Sequence, residues 1–505
     1  MSLSIWGEAF SSLMQIDIIL ALIIGVLVGT FIGALPALSG TMGVAIMTPL
    51  TFWLSKECGF AMLIGLYNAA CFAGGISAVL INTPGTPSSV TQCFDGYPLY
   101  LKGKGGLALG INAIFSFIGS IISIFFLAVL AEPIARFTVS FGPAEYFMIS
   151  LFGIVMMIAV AEGKVLKGFI MGTLGILLAC VGLDPILGMP RFTFGSVSLL
   201  AGIDFIPVIV GIFGLGEVLY QTVIRNEKLE KESQEKRHIN MKLGSIWPKK
   251  EQMGKWMPMA LVTACVSTVI GAIPAAGGDI STIICWGNAK KFSRHSEEYG
   301  KGSLEGFMVS STANNGVVGG AMMTMLTLGL PGDSVTAVLI GSLMMYGLQP
   351  GWSMFNEHQV FTAQIILLMA FASVGFLIVG LATAKICSKF FNVSQPTIWT
   401  CIVILCIVGS FSLNGRFGDV VIMLVMGVLG FFMKYFDFPA GPLVLGLLLG
   451  ETLESNMRKA LSISGGDYSY FFRRPVSCVI FALIIATLIF PFVKKFVKSV
   501  RQKRG

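Results

Sequence analysis

Residues 81–90 read Ile81-Asn82-Thr83-Pro84-Gly85-Thr86-Pro87-Ser88-Ser89-Val90. They follow an apolar run, Phe60 to Leu80, that is long enough to cross a bilayer. Proline removes backbone donors and glycine loosens the chain, so this stretch cannot continue a lipid-facing helix. Unwound polar backbone at that depth is tolerated only where protein buries it or water reaches it. The stretch therefore predicts a broken helix inside a membrane protein.

A second version of this break lies far downstream. It reads Thr327-Leu328-Gly329-Leu330-Pro331-Gly332-Asp333-Ser334, and its Pro-Gly pair comes 247 residues after Pro84-Gly85. Another matched pair, 238 residues apart, is Gly33-Ala34-Leu35-Pro36-Ala37-Leu38-Ser39-Gly40 and Gly271-Ala272-Ile273-Pro274-Ala275-Ala276-Gly277-Gly278. Further matches occur in the same order around Met171 and Met426, and around Asp204 and Asp437. This order predicts a duplicated chain, and paired interruptions point to the binding site of a transporter.

Composition places the chain in a membrane. Of its 505 residues, 55% are hydrophobic and 12% charged, whereas soluble domains carry about 25% charged residues. The net charge of +8 lies in loops and at the C-terminus, which indicates membrane orientation rather than nucleic-acid binding. The ten cysteines form no CxxC or zinc spacing, so buried free thiols are expected.

The predicted fold is an all-α polytopic membrane protein with two inverted repeats and interrupted or re-entrant hairpins. It should contain about 11–13 membrane segments. A first membrane repeat is expected over residues 1–220 and a charged cytoplasmic linker over 221–256. The second repeat is expected over 257–453, and residues 454–505 should form a loop, a final span and a basic tail.

Lysine and arginine positions predict how the two halves lie in the membrane. Five crossings follow the first hairpin in the first half, an odd number, so the second half must begin on the opposite side. The first 55 residues contain no Lys or Arg, which places the N-terminus outside, and the basic tail places the C-terminus in the cytoplasm. The Leu453–Arg474 segment falls outside although it carries four basic residues.

Polar residues at the four breaks, and midway along two spans, form the predicted substrate and ion site. A helix that starts after Gly85 or Gly332 directs free N–H groups at the break, which favours a carboxylate, while freed carbonyls favour Na⁺. The predicted site residues are Pro36, Ser39, Gly40, Thr41, Asn68, Asn82, Thr83, Pro84, Gly85, Thr86, Ser88, Ser89, Pro274, Gly277, Gly278, Asp279, Asn314, Asn315, Pro331, Gly332, Asp333 and Ser334.

Several of these residues have two open roles. Asp279 and Asp333 could each bind Na⁺ or cap the following helix. An asparagine at bilayer depth commonly makes a helix–helix hydrogen bond worth about 0.6–2 kcal/mol, whereas a cluster beside two breaks favours ion or substrate contact. Co-transported Na⁺ is expected near Asp279, Asp333 and Asn314, and no resident cofactor is expected.

Enzyme motifs are missing from the sequence. The three histidines lie in polar segments, and HExxH, GxSxG and GxxxxGK[ST] do not occur. The favoured function is therefore transport, by a secondary active transporter that works by alternating access. The other hypothesis is a passive channel or a structural membrane subunit, and accumulation against a gradient would separate the two.

The four breaks, together with Gly465-Gly466-Asp467-Tyr468 and Arg473-Arg474-Pro475, resemble the large membrane subunit of the tripartite tricarboxylate transporters. The resemblance spans nearly the whole chain. It implies a bacterial transporter of the cytoplasmic (inner) membrane that imports a carboxylate such as citrate by symport, with Na⁺ as the expected ion. It also implies two partners, a small membrane subunit and a periplasmic solute-binding protein.

Overall fold

A computed structural model describes residues 1–35, 38–160, 165–184, 186–229, 245–248, 250–274, 277–383 and 395–502. Pro36 and most of the predicted linker, residues 230–244, lie outside the described residues. The described part is nearly all helical, and its only strands, Gly182–Leu183 and Pro190–Arg191, pair in a two-residue antiparallel ladder. The predicted all-α class is confirmed.

The first half begins with five helices, and breaks in the chain separate α2 from α3 and α4 from α5. They are α1 (Leu3–Leu13), α2 (Ile16–Ala34), α3 (Gly40–Thr51), α4 (Lys56–Ile81) and α5 (Val90–Leu101). The remainder are α6 (Gly105–Thr138), α7 (Pro143–Val160), α8 (Val165–Ala179), α9 (Phe205–Ile209) and α10 (Gly216–Leu229). A π-helical segment, Val210–Leu215, joins α9 to α10, and short 3₁₀ turns span Pro87–Ser89 and Val197–Leu199.

The second half repeats this order of long and short helices. Its first helices are α11 (Lys250–Gly271), α12 (Gly277–Phe292), α13 (Leu304–Leu328), α14 (Ser334–Met345), α15 (Trp352–Asn356) and α16 (Gln359–Thr383). The last are α17 (Gln395–Asn414), α18 (Phe417–Tyr435), α19 (Ala440–Ile463), α20 (Tyr470–Arg473) and α21 (Pro475–Gln502), and a 3₁₀ turn spans Ser296–Glu298. The series α2–α5 thus corresponds in order to α11–α14.

Three predicted domain boundaries fall inside helices. Helix α10 continues beyond residue 220, and α11 begins before residue 257, so the predicted linker contributes a turn or more to each. Helix α19 runs through residue 453, and its polar end forms part of the segment expected to be a loop. These helix ends are polar, and charged residues at helical spacing can stabilise a helix that extends into solvent. The apolar pattern, from which the boundaries were predicted, does not indicate such extensions.

Eight helices in the described part are long and apolar enough to cross a bilayer. They are Ile16–Ala34, Lys56–Ile81, Gly105–Thr138, Phe205–Val223, Lys250–Gly271, Gln359–Ala382, Pro396–Asn414 and Phe417–Tyr435. Shorter apolar helices cover Pro143–Ala159, Val165–Ala179, Ser334–Met345 and Pro475–Leu488. These lengths indicate a multi-pass membrane protein in which full spans alternate with shorter segments.

Helices α4 and α13 form the centre of the molecule. The most apolar window of α4 is 94% buried, compared with 44% for α2, α6 and α16. Helix α6 packs along α13, and α16 packs along α4. Helix α2 approaches α4 closely at three glycines, Gly25, Gly29 and Gly33. The contact is so close that a Cβ atom at any of the three would overlap a backbone carbonyl oxygen of α4.

Arginine–carboxylate pairs hold the 453–474 segment against two other connections. Arg458 Nη1 donates to Asp184 Oδ2 at 2.7 Å, and Arg474 Nε lies 2.6 Å from Glu145 Oε1. The segment therefore lies at the same end of the molecule as residues 180–204 and the start of α7. Its positive charge is largely balanced there, which accounts for basic residues at an end where the charge pattern predicts few.

The Asp184 contact should survive mild acidification. The N–H of Leu187 and the guanidinium of Arg458 hold the pKa of Asp184 well below its usual range. A carboxyl group of this kind stabilises the fold above its unfolded pKa of about 3.9 and loses that effect as the pH falls towards its folded pKa. The rate of backbone amide hydrogen exchange in residues 182–191, after correction for intrinsic rates, should be the same at pH 7 and at about pH 5. The Arg458→Gln substitution should raise the exchange rate at both pH values. Faster exchange in the unsubstituted protein at about pH 5 than at pH 7 would contradict this prediction.

Candidate functional site

Break 1, residues 82–89, ends α4 and starts α5. Asn82 caps α4 in the left-handed conformation, with a φ of 54°, and is exposed. The N–H of Gly85 donates to Gly74 O at 3.3 Å. A Cβ at Gly85 would lie 2.8 Å from Gly74 Cα and would overlap the carbonyl oxygen of Gly33. Break 1 thus packs its backbone directly on α2 and α4, with no room for a side chain at Gly85.

The hydroxyl groups of break 1 bond mainly within the break. Ser89 Oγ donates to Thr86 O at 2.7 Å and accepts from Thr86 N at 3.1 Å. Thr86 Oγ1 and Ser88 Oγ are 3.2 Å apart, and all three residues are buried. Thr83 and Pro84 are half-buried, and Thr83 Oγ1 donates to the backbone two residues earlier. These bonds fix the turn that aims the N-terminus of α5 into the protein.

Break 2, residues 329–333, has the same start and a different end. Gly329 caps α13 with a φ of 68° and lies 247 residues after Asn82. Asp333 Oδ1 accepts from the backbone N of Thr336 at 2.8 Å, so Asp333 caps α14. Its other oxygen, Oδ2, accepts from the hydroxyl of Tyr67 on α4 at 2.5 Å. Both carboxylate oxygens therefore have donors, and one donor comes from the other half.

Two other predicted residues of break 2 are fully packed. Pro331 and Gly332 are buried, whereas Asp333 and Ser334 are half-buried. A Cβ at Gly332 would lie 2.9 Å from Gly271 O and would overlap Ala321 Cα. Gly332 and Gly271 stand in the same relation as Gly85 and Gly33, because the offsets of 247 and 238 residues relate the two pairs.

The α2–α3 and α11–α12 connections form the remaining breaks. Ser39 Oγ accepts from Met42 N at 3.1 Å and caps α3, next to the buried Gly40 and Thr41. Pro274 is buried. Gly277 has a φ of 59°, and its N–H donates to Gly332 O at 3.3 Å. Residue 279 lies in the first turn of α12, but the side chain of Asp279 lies outside the described part.

Each hairpin of one half reaches the break of the other half. A Cβ at Gly40 would lie 3.9 Å from Val335 Cγ2, just after break 2. A Cβ at Gly278 would lie 2.5 Å from Ser88 Cβ, within break 1. Gly278 comes 238 residues after Gly40, and Val335 comes 247 residues after Ser88. The two contacts are therefore equivalent, and the four breaks form one interlocked group.

Three buried asparagine amides lie on α4 and α13, where two of them bridge these helices and the third, from Asn68, reaches α16. Their Nδ2 atoms donate to backbone carbonyls: Asn68 to Met369 O at 3.3 Å, Asn314 to Cys71 O at 2.7 Å and Asn315 to Asn68 O at 3.2 Å. All three side chains are 0% exposed, and none of the three Oδ1 atoms has a hydrogen-bond partner. A buried acceptor without a donor costs about 1–3 kcal/mol, so this cluster is unfavourable unless something binds it.

The site contains few charges. Neither Lys nor Arg occurs in any of the four breaks. No group of three or more His, Cys, Asp or Glu residues in metal-binding geometry occurs within the described ranges. The N-terminus of α5 favours an anion, whereas that of α14 already carries the Asp333 carboxylate, and neutral oxygens favour a cation of low charge. The arrangement suits binding of opposite charges rather than acid–base or nucleophilic chemistry.

Comparison with known proteins identifies the family. Residues 19–445 match the model of the tripartite tricarboxylate transporter TctA family. The chain belongs to this family. An Agrobacterium vitis 52.8 kDa protein from the TAR-I ttuC' 3' region is 32% identical to it over 481 residues, which are 95% of this chain and 93% of that protein. A second Agrobacterium vitis protein, from the TAR-II ttuC' 3' region, is 27% identical over 237 residues, 47% of this chain and 96% of that protein. No solved structure matches.

Membership confirms the resemblance drawn from the breaks. The TctA family consists of membrane subunits of tripartite transporters and not of enzymes, so the chain is a transporter subunit. The family also implies partner subunits, a binding protein and a carboxylate substrate.

A buried polar network that was not predicted from the sequence lies beside break 1 of this TctA-family chain. Gln92 Nε2 donates to Asn112 Oδ1 at 2.7 Å and to Ser311 Oγ at 3.1 Å. A glycine on α4, Gly75, leaves room for the amide of Asn112. Asn112 and Ser311 lie within apolar helices away from any break, whereas Gln92 lies three residues beyond break 1. The one available signal was the presence of amides in such helices, which by itself also fits ordinary helix packing.

Proposed function

We propose that this chain imports a carboxylate such as citrate into the cell by symport with Na⁺. It works in the bacterial inner membrane with a small membrane subunit, and a periplasmic binding protein delivers the substrate. Transport proceeds by alternating access, in which the bundle that carries the four breaks moves against the remaining helices. The observation that carries this proposal is the interlocking of two broken hairpins around a neutral, oxygen-rich centre.

A contact between two equivalent residues supports an inverted repeat. Asn68 and Asn315, which are 247 residues apart, occupy equivalent positions and contact each other, because Asn315 Nδ2 donates to Asn68 O at 3.2 Å. Residues that meet their own equivalents lie on a two-fold axis. If each repeat crosses the membrane an odd number of times, that axis lies in the membrane plane.

Alternating access follows from two such repeats. Two breaks that share one site, but approach it from opposite sides, can open in turn while the other stays closed. The reciprocal contacts of Gly40 and Gly278 link the two breaks, so a change at one is felt at the other. The anion is expected at the N-terminus of α5, since the N-terminus of α14 already carries the Asp333 carboxylate.

Lysines support the proposed orientation. Lys102 Nζ donates to Lys301 O at 2.6 Å, and Lys167 Nζ donates to Phe436 O at 2.7 Å. These connections belong to the end opposite the 453–474 segment in the proposed topology. An end rich in lysine suits the cytoplasm, with the C-terminus there and the N-terminus outside.

Uptake into vesicles tests the coupling. The chain, reconstituted with its partner subunit and supplied with the loaded binding protein, should accumulate radiolabelled citrate when Na⁺ is high outside. Each Na⁺ that moves down a tenfold gradient supplies about 1.4 kcal/mol, enough for about tenfold accumulation of the substrate per ion at zero membrane potential. Choline in place of Na⁺ is the control.

The result separates the candidate functions. Accumulation above the external concentration that collapses with the Na⁺ gradient supports symport. Equal uptake in Na⁺ and choline would remove Na⁺ as the coupling ion. Equilibration without accumulation in either salt would instead support a passive channel, and no uptake with any carboxylate would support a structural role.

A further inference from the structure

The orientation of the three buried amides is determined by their neighbours. Each Nδ2 group of Asn68, Asn314 and Asn315 donates to a backbone carbonyl oxygen. If an amide were flipped, its own oxygen would face that carbonyl oxygen, and two acceptors would repel each other. Three side-chain oxygens are therefore left without a donor in the protein interior.

Two of the three amides bridge α13 and α4, and the third starts from the same turn of α4. Asn314 and Asn315 are consecutive on α13, and their amides reach the carbonyl oxygens of residues 71 and 68, which are one turn apart on α4. Asn68 itself extends from that turn towards α16. Because all three are 0% exposed, a ligand at this place must be about the size of a single ion or a water molecule.

We propose that the side-chain oxygens of Asn68, Asn314 and Asn315 bind a monovalent alkali cation between the two halves. The identification of that cation as Na⁺ rests on the proposed function. Oxygen ligands bind hard cations, and neutral amide oxygens without a carboxylate favour single over double charge. This position differs from the sequence expectation for Asp333, whose two oxygens already accept from Thr336 and Tyr67.

Cation binding here would act directly on break 2. Tyr67, whose hydroxyl bonds Asp333, directly precedes Asn68 on α4. A cation that ties Asn68 to α13 therefore also fixes the residue that holds the cap of α14. A bound cation would favour the conformation in which the two halves are in contact and Tyr67 holds break 2 through Asp333. We expect that conformation to be the one that binds substrate.

Thermal stability against NaCl concentration tests the site. The purified full-length chain in detergent is heated at constant ionic strength, with choline chloride replacing NaCl. A ligand that binds only the folded state raises the melting temperature in a concentration-dependent way. We expect NaCl to raise it and choline not to, and we expect Asn314→Leu to increase the NaCl concentration needed for half the effect by at least about tenfold.

Two further variants keep the test decisive. Asn315→Ser keeps a small polar side chain and withdraws the amide oxygen, so it serves if Asn314→Leu does not fold, with the same expected shift. Thr138→Val is the control, because it removes a buried hydroxyl at the end of α6 that donates to Ala135 O at 2.7 Å, within its own helix. It should leave the dependence on NaCl unchanged.

The outcomes distinguish this site from the proposed function. Equal effects of NaCl and choline, as expected if only water fills the cluster, would overturn the cation site. Unchanged NaCl dependence in both Asn variants would also overturn it, even if citrate uptake requires Na⁺. Loss of NaCl dependence in both variants supports the site, even if uptake does not depend on Na⁺.

Discussion

Gly85→Val should abolish carboxylate uptake while the protein still inserts into the membrane. The added Cβ would overlap the carbonyl oxygen of Gly33 and approach Gly74 Cα to 2.8 Å. Overpacking costs about 1–3 kcal/mol where side chains can move, but both neighbours here are backbone atoms of packed helices. Break 1 must therefore shift, and we expect uptake to fall about 100-fold or more in the vesicle assay.

Gly332→Val should have the same effect through break 2. Its Cβ would overlap Ala321 Cα and lie 2.9 Å from Gly271 O, in the equivalent environment. Gly287→Val is the matched control, because a Cβ at this position in α12 would meet nothing within 4 Å. All three variants should run as single species in size-exclusion chromatography. Normal uptake by both break variants would remove the breaks from the transport site.

The breaks could be predicted because their cause is local. Proline, glycine and left-handed caps interrupt a helix whatever surrounds it, and the left-handed caps at Asn82 and Gly329 do so at the predicted offset. The roles of the carboxylates could not be predicted in the same way. Asp333 caps its own helix, which is one of the two roles left open for it, but its second donor, Tyr67, lies 266 residues away.

The two halves also differ in hydrogen bonds between residues that are far apart in sequence, and such bonds could not be predicted from the repeated motifs. Gln92 on α5 bonds Ser311 across 219 residues, and this polar network has no counterpart beside break 2. At the offset of 247 residues, Gln92 corresponds to Leu339 and Ser311 to Ile64, which are both buried and apolar. Repeated motifs predicted two similar halves; the buried amides and hydroxyls that make them unequal lie outside the motifs.

Asp95, in the middle of α5, adds to the same inequality between the halves. Its Oδ1 accepts from the backbone N–H groups of Gly300, Gly302 and Ser303 at 2.8, 3.1 and 2.8 Å. Its Oδ2 accepts from Trp286 Nε1 at 2.8 Å. Helix α5 is therefore attached to the second half at two places, Gln92 and Asp95. The corresponding helix α14 is attached to the first half at its start, through Asp333, and at its end, where the hydroxyl of Tyr346 donates to Thr51 O at 2.7 Å.

Asp95→Ala should strongly destabilise the protein and abolish uptake. The substitution leaves four donors without their acceptor in a side-chain environment that is 0% exposed. Each buried donor without a partner costs about 1–3 kcal/mol, so a loss on the order of 2–6 kcal/mol is expected even if water reaches half of them. The measurement is the melting temperature in detergent, together with hydrogen exchange over residues 293–303, which should become faster.

Ser342→Ala is the matched control for Asp95→Ala, because Ser342 holds the equivalent place in α14. Its hydroxyl is also buried but has no partner, so its removal should leave the melting temperature unchanged or raise it slightly. Asp95→Asn should fall between the two, since an amide keeps one acceptor oxygen but sets a donor against a donor. If Asp95→Ala and Ser342→Ala lowered stability equally, α5 would be no more firmly attached than α14, and the two breaks would be mechanically alike. A large difference, with uptake lost only in Asp95→Ala, would mean that transport requires the attachment of α5 to the second half through Asp95.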